Sequence, residues 1–410
     1  MDPGLLSTEQ RALNRWFPMF FLILAVLLLE SGRVCVLRAG TVLSSSMEYS
    51  GSMPLSFAKE FCVDYYGDAY ALITIHDQFR YLVAEEDAEI PEDLPKDLTI
   101  LQKPFSHIYA ASSSCPDFFR ELGSLDRVTM TSTKAQDWTI PSIREAVSAE
   151  DMVFVGKYSA PDYEYICDEG CDLAIENTMI YHAPEVSEML KKLGIPVLTE
   201  YSSYEPEPLG RLEWIRLYAL LTDTQEEADR FFEEQVSRLD GVLKEEEGTD
   251  GADVVFFYIG TNGMVNVRRE DDYVSRMISM AGGRYLLHDL VEGLPASDTH
   301  SGSVTLQMES FYAAAKDADV LIYNGTLGER LDRLEALTGK CPLLEEFKAV
   351  KSGRVYCSRE NLFQEVTGIC RMIEDFFCVI RSSDPEDGDR AGEAGSTKNE
   401  EELTFLRRLQ

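Results

Sequence analysis

Basic residues are scarce in this chain. Its 410 residues carry 38 Lys and Arg against 72 Asp and Glu, a formal charge of −34 at pH 7. That balance argues against a nucleic-acid backbone as partner, because such binding requires cationic groups that displace phosphate counterions. Histidine is rarer still, with five in the whole chain. No C-x-x-C and no H-x-x-x-H occurs, and Cys167 and Cys171, four apart, lack the two further ligands of a structural zinc site. The nine cysteines, Cys35, Cys62, Cys115, Cys167, Cys171, Cys341, Cys357, Cys370 and Cys378, are odd in number and irregularly spaced, which does not describe a disulfide framework. There is no nucleophile elbow. Gly260-Thr-Asn-Gly263 follows a strand-like run but lacks the Lys-Ser/Thr of a phosphate-cradling loop. These absences leave little for an enzyme reading, and the expectation is a protein without catalytic residues or a resident cofactor.

The longest apolar run also falls short. Trp16 to Leu29, preceded by Arg11 and Arg15, is shorter than the roughly 20 residues of a comfortable spanning helix and suits the apolar region of a signal peptide. Residues 1–39 are therefore expected to be a signal peptide or membrane anchor, placing the protein outside the cytoplasm at the cell surface or in a periplasm. Cys35 follows Gly32-Arg-Val and Ala39 follows Leu37-Arg, so lipidation at Cys35, cleavage before Gly40 and retention of an anchor all stay open. Residues 40–54, rich in Ser, Gly and Met, read as a tether.

What is present is a repeated α/β grammar. With 45% apolar residues the chain can bury two cores. Phe61-Cys-Val-Asp-Tyr-Tyr and Tyr70-Ala-Leu-Ile-Thr-Ile flank the turn signal Gly67-Asp68 and predict a hairpin. The short runs Ile108-Tyr-Ala-Ala, Val128-Thr-Met, Met152-Val-Phe-Val, Leu173-Ala-Ile and Pro196-Val-Leu predict parallel strands buried on both faces, with amphipathic helices between them. These make an N-terminal lobe over 55–207. A helical linker over 208–247 follows, in which Thr224-x-x-Glu227 is a capping box. Val254-Val-Phe-Phe-Tyr-Ile, Val320-Leu-Ile-Tyr and Arg354-Val-Tyr-Cys are the strands of a C-terminal lobe over 248–380. Residues 381–410 hold eight acids and five bases in a polar segment and are expected to be a disordered tail. The fold class is α/β, with two Rossmann-like lobes.

Several segments in order along the chain resemble one family, the solute-binding proteins of iron-complex and vitamin B12 ABC importers. They are Ala111-Ser-Ser-Ser114 with Phe118-Phe-Arg-Glu-Leu-Gly-Ser-Leu-Asp-Arg-Val128, Pro184-Glu-Val with Leu193-Gly-Ile-Pro-Val197, and Tyr204-Glu-Pro-Glu-Pro-Leu-Gly-Arg-Leu-Glu-Trp-Ile215. In the second lobe they are Ala281-Gly-Gly-Arg, Ala315-Lys-Asp-Ala-Asp-Val-Leu-Ile322 and Phe347-Lys-Ala-Val-Lys-Ser-Gly-Arg-Val355. The resemblance implies central sheets joined by one long connecting helix and a ligand cleft between the lobes. It also implies a monomer that docks on a permease dimer through one acidic residue per lobe. Glu164 and Glu309 stand at the matching positions, where carboxylates can meet permease guanidinium groups.

Ligand contacts are expected from loops at the strand ends. In the first lobe these are Ser112, Ser113, Ser114, Trp138, Asn177, Tyr181 and His182; in the second, Tyr258, Asn262, Arg268, Arg269, Asn324 and Asn361. The arginines suit an anionic ferric chelate, and Tyr or Trp a flat one. His182 and Tyr181 are also candidates to ligate haem iron, although a lone histidine is more often a hydrogen-bonded surface residue. The expected function is capture of a ferric siderophore or similar metal chelate for import, with cobalamin and haem as rivals. A membrane-tethered sensor or a metal-cofactor scaffold is the alternative of another class.

Overall fold

The computed structural model describes residues 42–243, 251–287, 290, 302–382 and 402–410. The leader lies outside these residues. Among the described residues no helix is long and apolar enough to cross a membrane.

The first lobe is built on five parallel strands. Their order is Val197–Glu200, Leu173–Asn177, Ile108–Ala110, Val128–Thr131, Val153–Phe154. All five predicted runs are there and short, and all but the edge strand Val153–Phe154, which is half-buried, are largely buried. Parallel pairing makes every carboxyl end point the same way, which gathers the following loops on one rim.

Ahead of this lobe stands a separate sheet. Tyr49–Ser52, Phe61–Tyr66, Tyr70–Ile75, Phe79–Ala84 and Leu98–Gln102 lie side by side in chain order, antiparallel except for the last pair. Tyr49–Ser52 was expected in a tether and is instead the edge strand of this sheet, because its backbone pairs with Asp64 to Tyr66.

Two buried carboxylates fasten the sheet to the linker. Glu213 accepts the backbone N–H groups of Ser56, Phe57 and Ala58 at 2.8 Å. Glu205 accepts those of Lys59 and Glu60 at 2.9 Å, together with the Trp214 indole N–H at 2.9 Å. Gly210 permits the approach, since a Cβ there would stand 2.8 Å from the Phe57 carbonyl oxygen. The sheet also touches the first lobe's edge strand, where the Thr199 N–H donates to the Tyr81 hydroxyl at 3.1 Å. A backbone donor that an edge strand would leave exposed is thereby paired.

The connector is two short helices, Pro208–Glu213 and Ile215–Thr222, followed by the long helix Gln225–Leu243 of 19 residues. Asp223, left-handed at φ 60°, ends the second of them. Ile215–Thr222 is buried on nearly every side, and Phe118 stacks on Tyr218 at 4.9 Å. The third helix meets the second lobe through Arg238, whose guanidinium forks onto the Glu374 carboxylate.

The second lobe holds a mixed sheet in the order Ser303–Leu306, Val265–Arg268, Asp253–Ile259, Val320–Tyr323, Val355–Ser358, Leu406–Arg408, with Arg284–Tyr285 beside Asp253–Ile259. Its last strand corrects the expectation of a disordered tail over 381–410. Leu406–Arg408 pairs antiparallel with Val355–Ser358, and Leu403, Phe405, Leu406 and Leu409 are buried. Asp375 fixes the return by accepting the Phe405 N–H at 2.6 Å. Gly368 leaves room for the Phe405 ring, which a Cβ would meet at 2.4 Å. Acidic composition hid a short apolar segment that covers an otherwise open sheet edge.

Candidate functional site

The carboxyl ends of the first lobe's strands carry a hydroxyl and carboxylate cluster. Ser112 follows Ile108–Ala110, and its Oγ lies 3.0 Å from Ser114 Oγ and 3.2 Å from Glu200 Oε2. Glu200 is buried at the end of the neighbouring strand, and its other oxygen accepts the Ser202 N–H at 2.9 Å. Ser113 is half-buried beside them. Asn177 ends the adjacent strand and caps the turn Thr178–His182, accepting the Met179 N–H at 2.8 Å. That turn holds Tyr181 and His182 exposed on the rim. Tyr181 donates to or accepts from the Tyr201 hydroxyl at 2.7 Å.

The second lobe presents its parallel strand ends as asparagine turns. Asn324 follows Val320–Tyr323, is buried, and accepts the Thr326 N–H at 3.2 Å. Asn361 lies just beyond Val355–Ser358; its amide nitrogen donates to Glu365 at 2.9 Å, while its oxygen is buried without a partner among the described residues. Asn262 shapes the hairpin tip after Asp253–Ile259 by accepting the Met264 N–H at 3.1 Å, and Tyr258 is half-buried on the strand itself.

Three expected contacts are misplaced. Trp138 is fully buried in the core, its indole donating to the Thr133 carbonyl at 3.2 Å, so it cannot touch a ligand. Arg268 and Arg269 are engaged inside the second lobe. Val265–Arg268 runs antiparallel to Asp253–Ile259, which brings Arg268 back level with Phe256 at mid-strand. There Arg268 lies between the rings of Phe256 and Phe363 and 3.5 Å from Asp272, and Arg269 pairs with Asp271 at 3.1 Å. A cavity of about 780 Å³ lined by Glu207, Asp271, Arg276, Arg284 and Tyr285 opens beside Arg284–Tyr285, which pairs with the first residues of Asp253–Ile259. It therefore lies away from the carboxyl-end loops.

The lobes are clamped to each other by side chains that follow these strands. Buried Asp117 accepts the Thr367 N–H and hydroxyl at 2.8 Å each and holds Arg120 at 2.7 Å. Gln364 accepts the Thr139 N–H at 2.8 Å and donates to the Asp137 carbonyl at 2.9 Å. Residues 225 to 250 positions apart in the chain thus tie one lobe to the other.

Glu164 and Glu309 occupy equivalent positions. Each lies exposed in the first turn of a helix, Tyr163–Asp168 and Met308–Ala315, that leads into a parallel strand. A helix preceding such a strand runs back along the sheet, so its first turn sits at the carboxyl-end rim. A model of the periplasmic binding protein family matches residues 109–362. The chain belongs to the periplasmic binding protein family. Its members are solute-binding proteins, not enzymes.

Among periplasmic binding protein relatives, an uncharacterized lipoprotein of Methanocaldococcus jannaschii is 24% identical over 297 residues, covering 70% of this chain and 68% of that protein. The fold is similar to that of the periplasmic haem-binding protein HutB of Vibrio cholerae, with a TM-score of 0.52, 18% identity, and coverage of 66% of this chain and 98% of that one. It is similar too to the catecholate-siderophore binding protein VctP of Vibrio cholerae, with a TM-score of 0.52, 13% identity, and coverage of 67% and 94%. The sheet over 49–102 lies before the family match and the tail strand after it.

Reading the sequence missed Glu200, Tyr201 and Tyr204. The signal was present, since Glu200-Tyr-Ser-Ser-Tyr204 directly follows a predicted strand. Among the described residues no group of three His, Cys, Asp or Glu could hold a metal ion.

Proposed function

We propose that this protein captures a ferric siderophore or similar metal chelate between its two lobes, outside the cytoplasm, and delivers it to an ABC importer permease. The observation that carries the reading is the shared rim. Each lobe gathers loops at its parallel strand ends and carries one exposed carboxylate, Glu164 or Glu309, in the first turn of a helix that leads into a parallel strand. Such acids suit bidentate docking on arginines and would set register between protein and permease. Half-buried Ser113, Ser114 and Asn361 supply the polar contacts, with buried Ser112 and Glu200 holding the serine loop from beneath. The apolar leader and the lipoprotein relative support tethering at the membrane. The monomer fits a docking mode in which each lobe meets one half of a permease dimer.

Thermal unfolding of the chain from Gly40 to Gln410 against ferric hydroxamates, ferric catecholates, ferric citrate, haem and cobalamin tests this. A ligand at a hundred times its dissociation constant adds about 2.7 kcal/mol, so one class should raise the midpoint by several degrees. No shift with any of them would refute the chelate reading.

A further inference from the structure

The hairpin tip between Tyr70–Ile75 and Phe79–Ala84 departs from what a simple turn requires. His76 and Asp77 both adopt left-handed backbone, at φ 52° and 53°, where Asn-Gly is the usual choice. Non-glycine residues there cost about 1–2 kcal/mol each, and such strain concentrates where a site is built. The tip is held firmly nonetheless. The His76 N–H donates to the Glu60 carbonyl at 2.7 Å, and its ring Nδ1 meets Glu60 Oε2 at 2.6 Å.

The tip places its rings against the first lobe's rim. His76 stacks on Tyr201 with centroids 4.8 Å apart and planes 14° from parallel. Phe79 stacks on Tyr181 at 6.3 Å and tilts against Tyr201 at 5.8 Å, and Tyr204 adjoins Tyr201 at 5.3 Å. Tyr181 and Tyr201 share a hydroxyl hydrogen bond, and Tyr204 bonds Thr178 at 3.0 Å. A cluster that served only to glue the sheet to the lobe would bury its rings. Here Tyr201 is buried at the centre, but His76 is exposed around it, Tyr181 is 43% and neighbouring Met179 is 47% exposed, on a protein whose acidic surface otherwise favours water.

We propose that the His76–Phe79 hairpin tip belongs to the ligand site and, with Tyr181, Tyr201 and Tyr204, forms a shelf for a ligand that presents a flat conjugated ring. The proposal rests on the chelate-capture reading and deepens it. The shelf lies at the carboxyl ends of Leu173–Asn177 and Val197–Glu200, but two of its five rings, His76 and Phe79, come from a sheet outside the family match. Stacked and edge-on rings give such a ligand contacts that a ring-free chelate cannot use. Both a catecholate ring and a tetrapyrrole face have this chemistry.

The experiment measures dissociation constants of a ferric tris-catecholate, haem and a ferric tris-hydroxamate for the unaltered chain and for His76→Ala, Phe79→Leu and Tyr181→Leu. The expected result is that the chain binds a ring-bearing ligand, catecholate or haem, and that each variant weakens it about three- to tenfold, the range of one aromatic pair. Phe79→Leu keeps apolar bulk; should it fail to fold, exposed Tyr181→Leu reads the same shelf. Undiminished binding of the ring-bearing ligand in all folded variants would overturn the shelf and leave the chelate reading standing. Binding of the hydroxamate alone would do the same. Failure of all three to bind would remove the proposal together with its basis.

Discussion

Glu176 offers a sharp test of the first lobe's core. It lies on Leu173–Asn177, the strand beside Ile108–Ala110, fully buried, and neither carboxylate oxygen has a hydrogen-bond partner among the described residues. Desolvation alone pushes its pKa up from 4.5 to about 8, so the folded protein holds it neutral at pH 7. Nearby Tyr109 is also buried with an unpartnered hydroxyl, and burial with the Glu176 charge pushes its pKa up as well. For a carboxyl raised in the folded state, the unfolded chain ionises first. The contribution is therefore complete below about pH 4.5, falls by about 1.4 kcal/mol per pH unit as pH rises, and levels off above about pH 8, a total near 4–5 kcal/mol. Glu176→Gln removes the ionisable group and keeps the shape. Urea unfolding followed by tryptophan fluorescence reports this lobe, since Trp138 is buried in it and Trp214 in the connector packed against it. The variant should match the parent near pH 5 and exceed it in stability by several kcal/mol at pH 8.5. A difference between the two that is constant from pH 5 to 8.5 would refute the reasoning.

Glu213→Ala strips the acceptor from three backbone N–H groups of the Ser56–Ala58 segment and removes a buried carboxylate. It should cost about 3 kcal/mol or more and open the N-terminal sheet to limited proteolysis before the two lobes. Phe405→Ala should cost about 3–5 kcal/mol, as for a buried ring, read as a lowered thermal midpoint; an unchanged midpoint would mean that the tail strand does not hold the second lobe. Reversing both docking charges, Glu164→Arg with Glu309→Arg, should abolish uptake by cells carrying the cognate permease while the dissociation constant of the chelate stays unchanged. Loss of both together would contradict a docking role.

The parallel strands were legible because short runs buried on both faces leave a pattern of their own, and Ile108 to Leu198 carry it five times. Glu205, Glu213 and Trp214 were legible only as a recurring segment. That their carboxylates hold the backbone of residues 56–60 depends on contacts about 150 positions apart, which periodicity does not encode. Arg268 and Arg269 were misread because the residue types suited an anion, but the hairpin turns Arg268 back to mid-sheet, where Asp272 and two rings engage it, and Asp271 pairs with Arg269. Trp138 looked like a loop ring and is core. Leu403 to Leu409 was concealed by the acidic stretch before it, although its four apolar residues, Leu403, Phe405, Leu406 and Leu409, lie on and beside a strand that covers an edge. The aromatic shelf joins residues from two separate sheets, and nothing local in His76 or Tyr201 announces the other.

The central claim is that both lobes close on one ligand. Hydrogen–deuterium exchange of the chain with and without its tightest-binding chelate tests it most directly. The account predicts slowed exchange in two regions at once, the first-lobe loops 112–115, 177–182 and 200–204 and the second-lobe loops 324–328 and 359–365. Protection confined to one lobe, or found only around the cavity lined by Glu207, Arg276 and Tyr285, would contradict it.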